Sequence, residues 1–341
     1  MILLLRSLLL LCAAGFASSA WSAASFASRP AVHEFIGEMR EKHGFDGPVL
    51  IRAFARIKPL PAVIKAVMPP RDPGIRSWQA YRARYVEAKR IGLGLDFWQE
   101  YRDELAAARQ LTGVPEEIVV AIIGVETIYG RYTGDYVTLA ALSTLAFDYP
   151  ATVPEFSRKR RALFRRELEE LLLLARESRR DPLSFKGSYA GALGLPQFLP
   201  GSIRHFAVDG DGDGRIDLAK SPRDAIASVA NFLREHGWEK DMPVTASADA
   251  EGEKINGLLE EGIVPRRNPS ELAAYGVTSC DAPEQPAALI DLATPEQPTE
   301  YRLGYRNFYV LTRYNRSSFY AAAVLDLAQE LRRGRARRNI Q

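Results

Sequence analysis

At 341 residues the chain is long enough for one large hydrophobic core or two to three smaller ones. A composition of 47% hydrophobic and 26% charged residues excludes wholesale disorder, and a net charge of +3 gives no ground for a nucleic-acid partner. Arginine collects in residues 158–166 (RKRRALFRR) and 332–338 (RRGRARR), which read as a solvated helix face and a frayed terminus; contact with an anionic polymer is the alternative.

In chain order, residues 1–6 carry one positive charge, residues 7–16 are apolar but too short to span a bilayer, and small residues follow. That layout predicts a secretory signal over residues 1–24, cleaved after Ala20 or Ala24. Cys12, behind a leucine run, raises a lipid anchor, but the small residue expected just before it is missing. Once the signal is removed only Cys280 remains, which excludes a structural disulfide. Residues 32–68 and 77–110 read mainly as helix, separated by the breaker cluster 69–74. A helix over 114–129 has a clear start, with Pro115 at the first helical position and Glu116 and Glu117 at the positive dipole end. A long helix over 154–180 stops at Asp181-Pro182. A loop rich in small residues, 186–200, precedes helical spacing over 222–236. From 241 to 298 the chain turns to Pro, Gly and short apolar pieces such as 288–292. Residues 301–315 read as a strand or two, and 319–332 as the last helix. The pattern predicts a mainly α protein (α+β) with a small β-containing insertion before its final helix.

Glu126 interrupts the apolar run AIIGVETIYG. Advancing about 100° per residue from Ile118 places it in the arc of Ile122, Ile123 and Tyr129, near the helix's C-terminal end. Desolvation and the negative end of the dipole both raise a carboxyl's pKa there. A protonated carboxyl at the edge of an apolar pocket suits a general acid for a glycosidic oxygen. The competing reading is a plain ion pair with Arg131 or Arg204.

Three other stretches bear on Glu126. In GSYAGALGLPQF, small residues allow close backbone approach to a ligand, while Ser188 and Gln197 supply sugar-type hydrogen-bonding groups. In DGDGDGRIDL, Asp209, Asp211 and Asp213 alternate, Gly214 makes the turn and Arg215 offers a carbonyl, as in the first half of a calcium loop. The twelfth position is Lys220 instead of glutamate, so Asp224 is the candidate to close the site. A structural Ca²⁺ is expected, and no organic cofactor. NFYVLTRYNRSSFY (residues 307–320) is dense in aromatic and amide groups that stack on and bond to sugars. His33, His43, His205 and His236 lack metal-ligand spacing, and HExxH, GxSxG and phosphate-loop motifs are absent.

GVPEEIVVAIIGVETIYGRYTG, TLAALSTLAFDYP, KGSYAGALGLPQFLPGS, AVDGDGDGRIDL, DAIASVANFLREHGW and NFYVLTRYNRSSFYAAAV, in that order, resemble the lytic murein transglycosylase B family over roughly residues 32–332. The resemblance implies a lysozyme-like helical core with an α subdomain and a small β subdomain. It divides the chain into 30–110 (α), 111–240 (core with calcium loop), 241–300 (β), 301–332 (return to the core) and 333–341 (basic tail). It implies Glu126 as sole acid and base, with Tyr81, Ser188, Gln197, Tyr314, Asn315 and Tyr320 lining a saccharide groove. It places a late calcium ligand at Asp224, which one extra residue precedes here. Ala151-Thr152 stand where some relatives carry arginines, leaving Arg158 or Arg161 to meet peptide stems. The implied activity is cleavage of the MurNAc–GlcNAc bond of peptidoglycan, in the periplasm, with a 1,6-anhydro product. The implied partners are glycan strands and other cell-wall enzymes. Two alternatives remain open: a muramidase using water, with Asp135 the candidate second carboxylate, and a non-catalytic peptidoglycan-binding scaffold.

Overall fold

The computed structural model describes residues 25–68, 76–151 and 154–338. The expected signal, the Cys12 anchor, the breaker cluster 69–74 and Thr152 lie outside the described residues.

The amino-terminal part is helical but more divided than its composition predicts. After a 3-10 turn at Phe26–Ser28 come α1 (Pro30–His43), α2 (Gly47–Ala55) and α3 (Pro61–Val67). Gly44, in the left-handed conformation, closes α1, and the Asp46 carboxylate opens α2 by accepting the Val49 N–H at 3.0 Å. α4 (Trp78–Tyr85), α5 (Ala88–Glu100) and α6 (Arg102–Thr112) follow, with Ser77 and Glu87 as side-chain caps and left-handed Gly113 as the stop. Each local cap overrides the continuous periodicity, so two expected helical stretches become six helices.

α7 (Glu116–Thr127) runs through the middle of the molecule, where Ile118–Val125 are all buried. Pro115 is its N-cap, in extended conformation, instead of its first helical residue. Burial on every side also changes the meaning of the helical arc: Glu126 is a partly enclosed carboxylate near the C-terminal end of a helix whose apolar residues are buried all round, not on one face alone. Burying each such Ile, Leu or Val side chain contributes about 1.5–3 kcal/mol, which sets α7 as a rigid post. α8 (Thr138–Phe147) is similarly enclosed and packs along α9 (Pro154–Glu177). α10 (Pro200–Phe206) and α11 (Pro222–Glu235) complete the core before the sheet.

Strands β1 (Tyr136–Val137) and β2 (Lys186–Gly187) pair antiparallel, Tyr136 opposite Gly187, beside the end of α7. The larger sheet is antiparallel, in the order β4 (Val277–Thr278), β3 (Thr245–Ala250), β6 (Glu300–Gly304), β5 (Ala288–Leu292). α12 (Ile255–Glu260) and α13 (Pro269–Ala273) cover it, giving a second core around Leu258, Leu272, Leu289, Leu303 and Tyr305. β5 is buried on both faces because alternate residues serve different cores: Leu289 the small one, and Ala288, Ile290 and Leu292 the main one.

Beyond β6 the expected second strand is a helix, α14 (Arg306–Tyr314), because Asn307, Phe308, Val310 and Leu311 recur at helical spacing and all point inward. α15 (Ser318–Arg338) packs against α7, α5 and α4. It also corrects the frayed-terminus expectation. Arg335 bonds Glu116 at 2.6 Å and lies over the Trp98 ring, while Arg332 and Arg338 pair with Glu117 and Asp96. The other arginine cluster, on α9, is only partly a solvated face: Arg158 and Arg166 are exposed, but Arg165 pairs with Glu38 at 2.5 Å. No helix among the described residues is long and apolar enough to cross a membrane.

Candidate active site

The chain leaves α7 through three successive left-handed residues, Ile128 (φ 51°), Tyr129 (φ 58°) and Gly130 (φ 85°). For the first two this costs on the order of 1–3 kcal/mol each, so other contacts must impose it. The buried Thr127 hydroxyl is one: it donates to Leu195 O at 2.9 Å and accepts the Gly130 N–H at 3.0 Å. The Tyr129 ring is another, fitted against Phe97 and into a space that a side chain at Gly94 or Gly124 would fill. The turn leaves Glu126 as the penultimate residue of a rigid helix, its side chain only partly enclosed.

The Glu126 carboxyl is enclosed by protein yet keeps a partly open face. Burial pushes its pKa from 4.5 up to about 7, and a 2.6 Å hydrogen bond donated by the Tyr320 hydroxyl pulls the other way. Among the described residues no cation pairs with it. Arg204 is committed to Glu170 and Glu177, and Arg131 is exposed. Both candidate ion pairs are therefore ruled out.

Three tyrosines converge on this carboxyl. Tyr320 and Tyr314 stack nearly parallel, centroids 6.3 Å apart, and the Tyr314 hydroxyl donates to Pro196 O at 2.6 Å. Tyr81, on α4, packs against Tyr85 and Phe319 and lies near enough to feel the Glu126 charge. Burial holds all three phenols above their ordinary range, so they are hydrogen-bond donors at neutral pH.

The small-residue loop is bonded to the end of α7 and the turn that follows it. Gln197, itself left-handed (φ 51°), donates to Gly194 O and Thr133 O at 2.9 and 3.1 Å, tying this loop to the turn after α7. Ser188 accepts the Ala192 N–H at 3.1 Å and remains partly open. Gly134 runs so close to the Gly187 backbone that a side chain there would collide with it. Asn315 follows α14 as an exposed, extended residue. Asp135 is exposed in the turn before β1 and is not among the groups that set the acidity of Glu126. Arg158 and Arg161 lie on α9; Arg161 donates to Tyr149 O at 3.1 Å. Sequence reasoning passed over Thr127, because its bond to Leu195 joins residues 68 apart and nothing beside it announces the contact.

The acidic loop stands apart. Carboxylate oxygens of Asp209, Asp211 and Asp213 lie within 4.8 Å of one another. Backbone N–H groups, foremost that of Gly214, hold the Asp209 carboxyl below its usual range, so it is fully ionised at neutral pH. Left-handed Gly212 and Gly214 shape the turn, and Arg215 donates its N–H to Asp213 at 2.8 Å. An oxygen-rich, converging set of this kind fits a hard cation such as Ca²⁺. Asp224 is outside that trio: it is buried, and its two oxygens accept the N–H groups of Gly210 and Asp217 at 2.9 and 2.7 Å. In this arrangement it braces the loop from the first turn of α11.

The transglycosylase SLT domain matches residues 27–329, nearly all of the described chain. The chain belongs to that family. The membrane-bound lytic murein transglycosylase B of Escherichia coli (strain K12) is 41% identical over 323 residues, 89% of this chain and 83% of that protein. The soluble lytic transglycosylase SltB1 of Pseudomonas aeruginosa superposes with a TM-score of 0.82 at 43% identity, covering 90% of this chain and 100% of that one. The Escherichia coli lytic transglycosylase Slt35, solved in complex with calcium, gives a TM-score of 0.78 at 38% identity, covering 92% and 96%. This transglycosylase thus has the lysozyme-like, mostly helical fold of its relatives.

Proposed function

We propose that this transglycosylase cleaves the β-1,4 bond between N-acetylmuramic acid and N-acetylglucosamine in peptidoglycan, with Glu126 as the sole acid and then base. The observation that carries the reading is a half-open carboxyl with a pKa of about 7, bonded to a phenol and unpaired with any cation among the described residues. The family and the identity with lytic murein transglycosylases support it.

Near neutral pH a large fraction of Glu126 is protonated, and its proton goes to the glycosidic oxygen as the C1–O bond breaks. Positive charge then develops on the muramoyl ring, where the ring's acetamido group and the surrounding phenol dipoles hold it. Glu126, now ionised, removes the proton of the C6 hydroxyl, whose oxygen closes on C1 to give the 1,6-anhydro sugar. The carboxyl ends protonated, ready for another cycle, so no second carboxylate is required. Tyr81, Tyr314 and Tyr320 form stacking and hydrogen-bonding walls, and Ser188, Gln197 and Asn315 meet sugar hydroxyls and amides. Arg158 and Arg161 offer cations to peptide-stem carboxylates.

Asp209, Asp211, Asp213 and the Arg215 carbonyl hold a structural calcium ion, with Asp224 as the brace; the ion supplies fold stability away from the chemistry. Export by residues 1–24 puts the enzyme in the periplasm, acting on glycan strands beside other cell-wall enzymes. The deciding test is mass spectrometry of soluble products from sacculi treated with purified protein. Anhydro-muropeptides, lighter by one water than their hydrolysed counterparts, are expected. Reducing-end muropeptides would make the protein a muramidase and bring Asp135 forward, and bound sacculi without products would make it a scaffold.

A further inference from the structure

α4, which carries Tyr81, is only eight residues long, too short to hold itself in water. Its placement comes from elements more than two hundred residues away. The Trp78 N–H donates to Ala293 O at 2.8 Å, and the Gln79 N–H to Thr294 Oγ1 at 3.1 Å. The Gln79 and Gln297 amides meet at 2.6 Å. Beneath these surface bonds runs a chain of charges. Arg82 Nε bonds Asp326 Oδ2 at 2.6 Å, and Asp326 Oδ1 accepts from Arg302 Nη1 at 2.7 Å. Arg302 Nε bonds Glu300 at 2.7 Å, and Glu300 accepts the Trp78 indole N–H at 3.1 Å. Asp326, at the centre, is 5% exposed. The chain grips α4 at Trp78 and Arg82, and Tyr81 sits between the grips, its ring 5.6 Å from that of Phe319.

We propose that Asp326 is a positioning residue for the saccharide groove: through Arg82 and Arg302 it clamps α4 to the β sheet and α15, and so fixes Tyr81 within reach of the Glu126 charge. The clamp assigns the β3–β6 sheet a task, since Glu300 and Arg302 belong to β6 and Ala293, Thr294 and Gln297 to the β5–β6 connection. The sheet is a buttress for one wall of the groove. The inference rests on the reading of Tyr81 as a groove residue.

The test is a double-mutant cycle of Asp326→Asn and Tyr81→Ala on soluble glycan strands, reading KM and kcat separately. Each single change is expected to raise KM by about three- to tenfold with kcat within about twofold, as for loss of binding shared by ground and transition states. The double variant is expected to be no worse than Tyr81→Ala alone, because the clamp acts through that ring. Additive losses, or a fall in kcat without a KM change, would overturn the clamp. Wild-type KM for Asp326→Asn with an impaired Tyr81→Ala would overturn it and leave Tyr81 in the groove. Unchanged KM in Tyr81→Ala would remove the groove reading and the clamp together. Should Asp326→Asn not fold, Arg82→Gln cuts the same link from its half-exposed side, and Arg82→Lys is expected to restore KM at least in part.

Discussion

Replacing Glu126 with glutamine tests the burial of the catalytic carboxyl independently of any turnover. Glutamine keeps an oxygen to accept the Tyr320 hydroxyl and nearly the same volume, but it cannot ionise. A folded-state pKa raised from 4.5 to about 7 means the native protein holds this proton more tightly than the unfolded chain. The native state therefore binds more protons between those values, and stability falls as pH rises through that window. At about 1.4 kcal/mol per tenfold in proton affinity, the full effect above pH 7 is about 3 kcal/mol, or about 2 after allowing for the partly open face. For a chain of this size that is a melting-temperature difference of about 3 °C. Thermal unfolding of wild type and Glu126→Gln, followed from pH 4.5 to pH 8 at one scan rate, reads it directly. The variant's advantage should be smallest at the acid end and widen through pH 7. A gap that stays constant, or narrows with rising pH, would refute the burial of an ionisable Glu126.

Three further outcomes are expected. Tyr320→Phe removes the bond that favours the ionised carboxyl, so the alkaline limb of the pH–rate profile moves to higher pH and kcat falls about tenfold; a limb displaced to lower pH would contradict the assigned hydrogen bond. Calcium at about a hundredfold excess over its dissociation constant should stabilise the protein by about 2.7 kcal/mol, and Asp209→Asn with Asp211→Asn should abolish the response. If neither EDTA nor added calcium moves the melting temperature, the metal assignment fails. Gly134→Ala combines a left-handed backbone with a collision against Gly187, so a loss of about 2–4 kcal/mol and of activity is expected; a native melting temperature would show that the segments at Gly134 and Gly187 are less tightly joined.

Features legible in the sequence were those written within a few residues. Glu126 stands out because a carboxylate inside an apolar helix is costly, and the spaced aspartates of 209–213 because they repel without a cation. The long helix from residue 154 is readable from its periodicity, although it ends at Glu177, short of the expected Asp181-Pro182 stop. Features built from distant pairings were not. The Trp78–Glu300 bond joins residues 222 apart, and nothing near Trp78 announces it. β1 and β2 are two residues each, too short for any alternation to show. The α14 stretch reads as strand because its aromatic, β-favouring composition outweighs a helical burial pattern only nine residues long. The basic tail looked solvated because Glu116, Glu117 and Asp96, which neutralise it, lie more than two hundred residues upstream.

The last helix has a bearing on when the enzyme becomes an enzyme. α15 supplies Tyr320 to the carboxyl and covers the flank of the post that carries Glu126. A ribosome has to add 194 residues after Glu126 before the Tyr320 phenol exists. Until residues 318–338 emerge, the nascent chain exposes apolar α7 and lacks the phenol that bonds Glu126. A peptidoglycan-cleaving enzyme built this way lacks its finished cleft until residues 318–338 have emerged, and a chain truncated before residue 318 lacks the phenol that bonds Glu126.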